Sequence, residues 1–185
     1  WYPGQAGGQA VAEVLFGDYN PAGKLPLTFY RNLAQIPDFE DYNMTGRTYR
    51  YMKETPLFPF GHGLSYTTFK YGKLKMNDDK IAVGQNLNLV IPVTNTGSRD
   101  GDEVVQVYLK KMDDTEGPVK TLRAFKRVRI PAGKTVEVKF SLDDTQLEWW
   151  DEQSNTMRVC PGNYTVMIGG TSCEKSLLSR AFTIR

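Results

Sequence analysis

The sequence predicts a mainly β fold, a two-sheet sandwich over residues 68–185, preceded over residues 1–67 by one helix, one short strand and a long connector. Two observations carry the sandwich. Apolar residues recur at every second position from Phe69 onward, and Gly, Pro and Asn interrupt these rows at turn spacing. A third separates the front of the chain, where apolar residues between positions 7 and 17 recur at helical spacing instead.

Gly7-Gly8 opens that helix, Ala10, Val11, Val14 and Leu15 share one face, and Gly17 supplies a stop. Asn20-Pro21-Ala22-Gly23 reads as a turn, and Leu25-Pro26-Leu27-Thr28-Phe29 as a short strand. One helix and one strand cannot cover each other's apolar faces in water. The unit therefore reads as the remnant of a larger domain, with an uncovered apolar surface over residues 7–29 through which the chain is expected to self-associate. The start at Trp1, without an initiator Met or apolar leader, predicts a cut inside a longer polypeptide. Residues 30–67 carry prolines, glycines and aromatics without a sustained period, which predicts a long packed connector.

In the sandwich, Leu87, Leu89, Ile91 and Val93 form an inward row. Pro92, which donates no ladder hydrogen bond, predicts an edge position for this strand. After the turn Asn95-Thr96-Gly97 come Val105, Val107 and Leu109, a polar loop over residues 113–118, and a strand over residues 122–130 ended by Pro131-Ala132-Gly133. Val136, Val138, Phe140 and Leu142 alternate next. Tyr164, Val166 and Ile168 follow the turn Pro161-Gly162, and Phe182 and Ile184 close the chain. About seven such strands are what an immunoglobulin-like or fibronectin-like sandwich requires.

Composition narrows the function classes. Hydrophobic residues at 40% and charged residues at 24% are ordinary for a globular chain. The formal charge is only +2, with Lys and Arg interspersed among Asp and Glu, so no nucleic-acid footprint is present. No apolar run reaches the ~18 residues that span a bilayer, so no membrane partner is expected. Cys160 and Cys173 are too few for a four-ligand zinc site, and the strand between them predicts free thiols. Neither metal nor cofactor is called for.

Four features carry candidate chemistry. Asp38, Glu40 and Asp41 form one acidic cluster, which lacks metal-loop spacing and reads as a solvated loop. His62, the single histidine, sits between glycines and reads as a structural residue. Trp149-Trp150 sends adjacent indoles to opposite strand faces. One enters the core, and the other either stacks on a sugar or is covered by further protein. Arg47, Tyr49, Arg50 and Tyr51 form the fourth feature, a basic and aromatic run in the connector.

Several strings in order resemble the C-terminal region of glycoside hydrolase family 3, the β-glucosidase and β-xylosidase family. They are Tyr2-Pro3-Gly4-Gln5 with Gly7-Gly8, Asn20-Pro21-Ala22-Gly23-Lys24-Leu25-Pro26, and Pro59-Phe60-Gly61-His62-Gly63-Leu64-Ser65-Tyr66-Thr67 in the front part. Asn95-Thr96-Gly97, residues 100–106, residues 122–128 and Pro161-Gly162-Asn163-Tyr164 follow in the sandwich. Ala124 departs from the Gly expected before Phe125, which puts the local turn in question. The run Gly46-Arg47-Thr48-Tyr49-Arg50-Tyr51 and His62 lean toward the β-xylosidase and arabinofuranosidase members.

The resemblance implies that residues 1–67 end an α/β sandwich domain and that residues 68–185 are a fibronectin type III-like domain. It implies a retaining parent enzyme acting on β-linked xylosides, arabinosides or glucosides of plant polysaccharides, periplasmic or secreted, with two carboxylates ~5 Å apart. In the family the nucleophile belongs to an upstream barrel and the acid/base to the upstream α/β domain. No catalytic residue is therefore expected here, and those domains are the expected partners. Arg47, Tyr49, Arg50 and Tyr51 would rim the parent's cleft or pack against the sandwich. The alternative is a stand-alone carbohydrate-binding or cell-surface adhesion module using Trp149 or Trp150.

Overall fold

The computed structural model describes residues 2–185. Among these residues three α-helices, α1 (Gly7–Phe16), α2 (Thr48–Tyr51) and α3 (Asp144–Leu147), accompany eleven strands. In chain order these are β1 (Phe69–Tyr71), β2 (Lys75–Met76), β3 (Lys80–Ile81), β4 (Leu87–Asn95), β5 (Gly101–Lys111) and β6 (Thr121–Ile130). The remainder are β7 (Thr135–Leu142), β8 (Trp149–Asp151), β9 (Thr156–Arg158), β10 (Gly162–Gly169) and β11 (Leu178–Ile184).

Two sheets face each other. In one, β4 is central, with β7 along one edge and the short β1 and β2 sharing the other. The other runs β3-β11-β10-β5-β6, antiparallel except where β3 meets β11. β8 and β9 make a separate hairpin. The alternating rows bury as expected: Leu87, Leu89, Ile91 and Val93 of β4 face Val105, Val107 and Leu109 of β5, all in one core with Val138, Phe140, Tyr164, Val166, Ile168, Phe182 and Ile184. Each fully buried aliphatic side chain contributes roughly 1.5–3 kcal/mol of transfer free energy.

Pro92 is not at an edge. Its strand is flanked on both sides, and the proline is tolerated because of where its nitrogen points. Gly72 N–H donates to Pro92 O (2.8 Å), so that side of Pro92 faces the gap where β1 has ended and β2 has not begun. No ladder donor is demanded there. Ala124 is likewise not in a turn. It lies in β6 opposite Val107, next to a register shift that leaves Arg123 as the extra residue of a bulge.

The front of the chain departs from expectation once more. α1 forms, and Gly17 caps it in the left-handed region at φ 84°. The expected strand over residues 25–29 is reduced to one bridge, Phe29 with Phe58. Pro26 and Pro59 withdraw two backbone donors from what would be a ladder. Leu25 N–H donates to His62 O and Gly61 N–H to Leu25 O, both at 2.8 Å, which lays residues 20–26 along residues 59–67.

This paired segment is fastened to the sandwich by buried polar groups. Gly61 holds φ 78° against β5, and a Cβ there would overlap the Gln106 amide. Gln106 donates to Gly170 O (2.6 Å) and accepts from Tyr108 Oη (2.5 Å). Asn95, fully buried, accepts from Thr67 Oγ1 (2.5 Å) and donates to Arg99 O (2.7 Å) and Ile130 O (2.9 Å). Lys24 pairs with Glu103 of β5 at 3.3 Å, and Tyr71 Oη donates to the same carboxylate at 2.9 Å. Burial pushes the Glu103 carboxyl above its ordinary value, with Lys24 opposing the shift.

Among the described residues, α1 itself is held only at its margins, by Tyr66 Oη donating to Val14 O (2.6 Å) and by Arg99 donating to Gly17 O. None of its residues is buried, and Val11, Leu15 and Phe16 are exposed. Leu33, Phe39, Tyr42 and Leu64 of the connector are exposed as well. Such a density of uncovered large apolar side chains is unusual for a finished surface.

Candidate functional site

The connector and the sandwich meet at an open groove of ≈ 640 Å³. Its walls are α2, the 112–119 loop and the β8–β9 hairpin. Val119 N–H donates to Arg50 O (2.7 Å), which joins the first two walls. The third is fixed by Trp149. Its indole Nε1 donates to Asp114 Oδ2 (2.7 Å), its edge meets Tyr164, and the Arg123 guanidinium lies 5.1 Å over its ring. Asp114 is positioned in turn by Gly117 N–H (2.7 Å).

Of the six residues singled out in the sequence, four line this groove: Arg50, Tyr51, Trp149 and Trp150. Trp149 is buried at 4% exposure and Trp150 stands half-exposed at 50%, the division that strand alternation demands. Arg50 lies 5.8 Å over the Tyr51 ring. Arg47 and Tyr49 are not in the groove. Arg47 holds the loop before α2, donating to the carbonyls of Asp41 and Asn43. Tyr49 stacks on Phe60 at 4.3 Å, meets Tyr108 edge-on, and accepts from Leu122 N–H (3.2 Å), a packing role.

The other candidate groups of the sequence do not line this groove. Asp41 accepts from the backbone and side chain of Asn43, which lowers its carboxyl's pKa and makes residues 38–43 a self-bonded loop. His62 stacks on Phe58 at 5.0 Å. Cys160 and Cys173 are free, the former buried. No cluster of three metal-ligating side chains occurs among the described residues. Asp151 is held below the usual carboxylate range by the Ser154 hydroxyl and by Arg158.

Arg123, Thr121 and Asp114 escaped the sequence reading. Each looked like an ordinary polar residue of a strand or loop, and only the arrival of Trp149 from 26 to 35 positions away gives two of them a role. Burial lowers the pKa of the Arg123 guanidinium, and the neighbouring Arg50 adds to the effect. Two wall atoms, Arg123 Nε and Thr121 Oγ1, are buried without a hydrogen-bond partner.

Residues 1–66 match the glycosyl hydrolase family 3 C-terminal domain, and residues 103–172 the fibronectin type III-like domain. The chain is 52% identical over 184 residues to a xylan 1,4-β-xylosidase of Xylanibacter ruminicola, covering all of this chain and 21% of that protein. It is 38% identical over 187 residues to the periplasmic β-glucosidase of Salmonella typhimurium, covering 94% of this chain and 24% of the relative. A β-glucosidase of Streptomyces venezuelae solved with D-glucose superposes with a TM-score of 0.85 at 31% identity, over all of this chain and 26% of its own. One from Erythrobacter marinus gives 0.84 at 38%, over 100% and 24%. The chain thus spans about a quarter of the length of these relatives. Its two matched domains, in this order and on this fold, make it a member of glycoside hydrolase family 3, equivalent to the C-terminal region of those enzymes.

Proposed function

We propose that this chain is a non-catalytic, bracing part of a family 3 glycosidase. The whole protein would hydrolyse β-linked xylosides, arabinosides or glucosides of plant polysaccharides with retention. The observation that carries this reading is the contrast between two surfaces. The sandwich closes a dense core, while α1 and the connector expose Val11, Leu15, Phe16, Leu33, Phe39 and Leu64 together. That face is suited to dock on the remaining domains of the same polypeptide, and the buried seam through Gln106, Asn95 and Lys24 would carry their position to the sandwich.

Support for the xylosidase side comes from the xylan 1,4-β-xylosidase that is 52% identical, against 38% for the Salmonella β-glucosidase. The test compares the 185-residue chain with the full-length polypeptide on aryl β-xyloside, arabinofuranoside and glucoside. Hydrolysis by the longer protein only, fastest on the xyloside, is expected. Robust turnover by the purified chain alone would overturn the proposal.

A further inference from the structure

The groove between α2, the 112–119 loop and the β8–β9 hairpin shares no lining residue with the exposed face of α1. We propose that it binds an uncharged oligosaccharide of β-linked pyranoses, stacked on Trp150 and hydrogen-bonded by Arg50 and the 113–118 loop. Its volume of ≈ 640 Å³ falls within the usual range for small-molecule sites.

The stacking platform is held in place before any ligand arrives. Trp149 is locked from three sides by Asp114, Arg123 and Tyr164, and β8 pairs with β9 through Trp150 opposite Met157. The adjacent Trp150 is thereby held half-exposed in the lining of the groove. A rigid indole loses little entropy when a ligand covers it. A pyranose whose substituents are equatorial presents a flat C–H face that such a ring can cover. An axial linkage would tilt the next sugar away from it.

The charges argue for an uncharged ligand. Three Lys or Arg and five Asp or Glu side chains line the groove, so an anion meets the carboxylates and a cation meets the guanidiniums. Sugar hydroxyls use both, donating to carboxylates and accepting from guanidiniums. Several of the acids are already fixed: Asp114 by Trp149 and Gly117, Asp151 by Arg158 and Ser154. The Arg50 guanidinium, in contrast, makes neither an ion pair nor a hydrogen bond among the described residues. Arg123 Nε and Thr121 Oγ1 lack partners too, with Thr121 only 9% exposed. Of these, the Arg50 guanidinium lines the groove, where a hydroxyl-bearing ligand would supply it with acceptors.

The experiment titrates the 185-residue chain with xylohexaose, cellohexaose and a glucuronate-substituted xylo-oligosaccharide. Isothermal calorimetry supplies affinity, and the Trp150 indole N–H resonance supplies location. Saturable binding of a neutral hexaose that shifts this resonance is expected. Trp150→Ala and Arg50→Ala should each weaken it at least tenfold, while Trp150→Phe retains most of it. The absence of saturable binding by a folded chain would overturn the proposal. So would binding that leaves the Trp150 resonance unmoved, or a clear preference for the charged oligosaccharide. None of these outcomes depends on whether the chain turns over a glycoside.

Discussion

Two single residues carry more of the structure than their size suggests. Asn95 satisfies four backbone or hydroxyl partners from a fully buried position, so Asn95→Ala strands a hydroxyl, the Gly97 N–H and two carbonyls. A loss of about 2–4 kcal/mol in urea unfolding is expected. Lys24 works through charge. The folded-state carboxyl of Glu103 titrates above its ordinary value of 4.5, so its ionisation costs stability as pH rises past that value, and Lys24 offsets part of the cost. Lys24→Met removes the offset and carries the folded pKa further up. The variant should lose roughly 3 kcal/mol at pH 7.5 and clearly less at pH 5, where the carboxyl can hold its proton. An equal loss at both values would refute the electrostatic account of this seam.

At the scale of elements, the long strands were legible because each has one face in the core. The rows through Leu89, Val107 and Val166 read directly from period-two alternation. What failed was information that lies in partners. Pro92 implied an edge by its own chemistry, but its tolerance depends on where β1 and β2 happen to stop. The strand over residues 25–29 had the composition of a strand and lost its ladder to Pro26 and Pro59. The short β8–β9 hairpin and α2 left almost no periodic signal, so Trp149 and Trp150 were identifiable as a pair while their meeting with Arg50 was not. Gly61 marks the most constrained crossing between front segment and sandwich. Gly61→Ala places a Cβ on the Gln106 amide in a backbone conformation that alanine resists, so a loss of 2 kcal/mol or more is expected in thermal unfolding.

In the whole molecule a densely packed sandwich core adjoins a face of exposed apolar side chains. Leu15→Asp and Phe16→Asp should leave unfolding stability within about 0.5 kcal/mol, since both side chains are exposed, while lowering any self-association seen in light scattering. In the full-length protein the same substitutions should destabilise, because there the face would be buried. The central claim is that the sandwich holds itself together and that α1 depends on protein beyond it. Native-state hydrogen exchange of the monomeric chain tests this most directly, because a ten-residue helix with no buried residue is marginal in water. The amides of β4, β5 and β10 should exchange only through global unfolding, and those of α1 at least a hundredfold faster. Protection of α1 equal to that of the core strands would contradict the account.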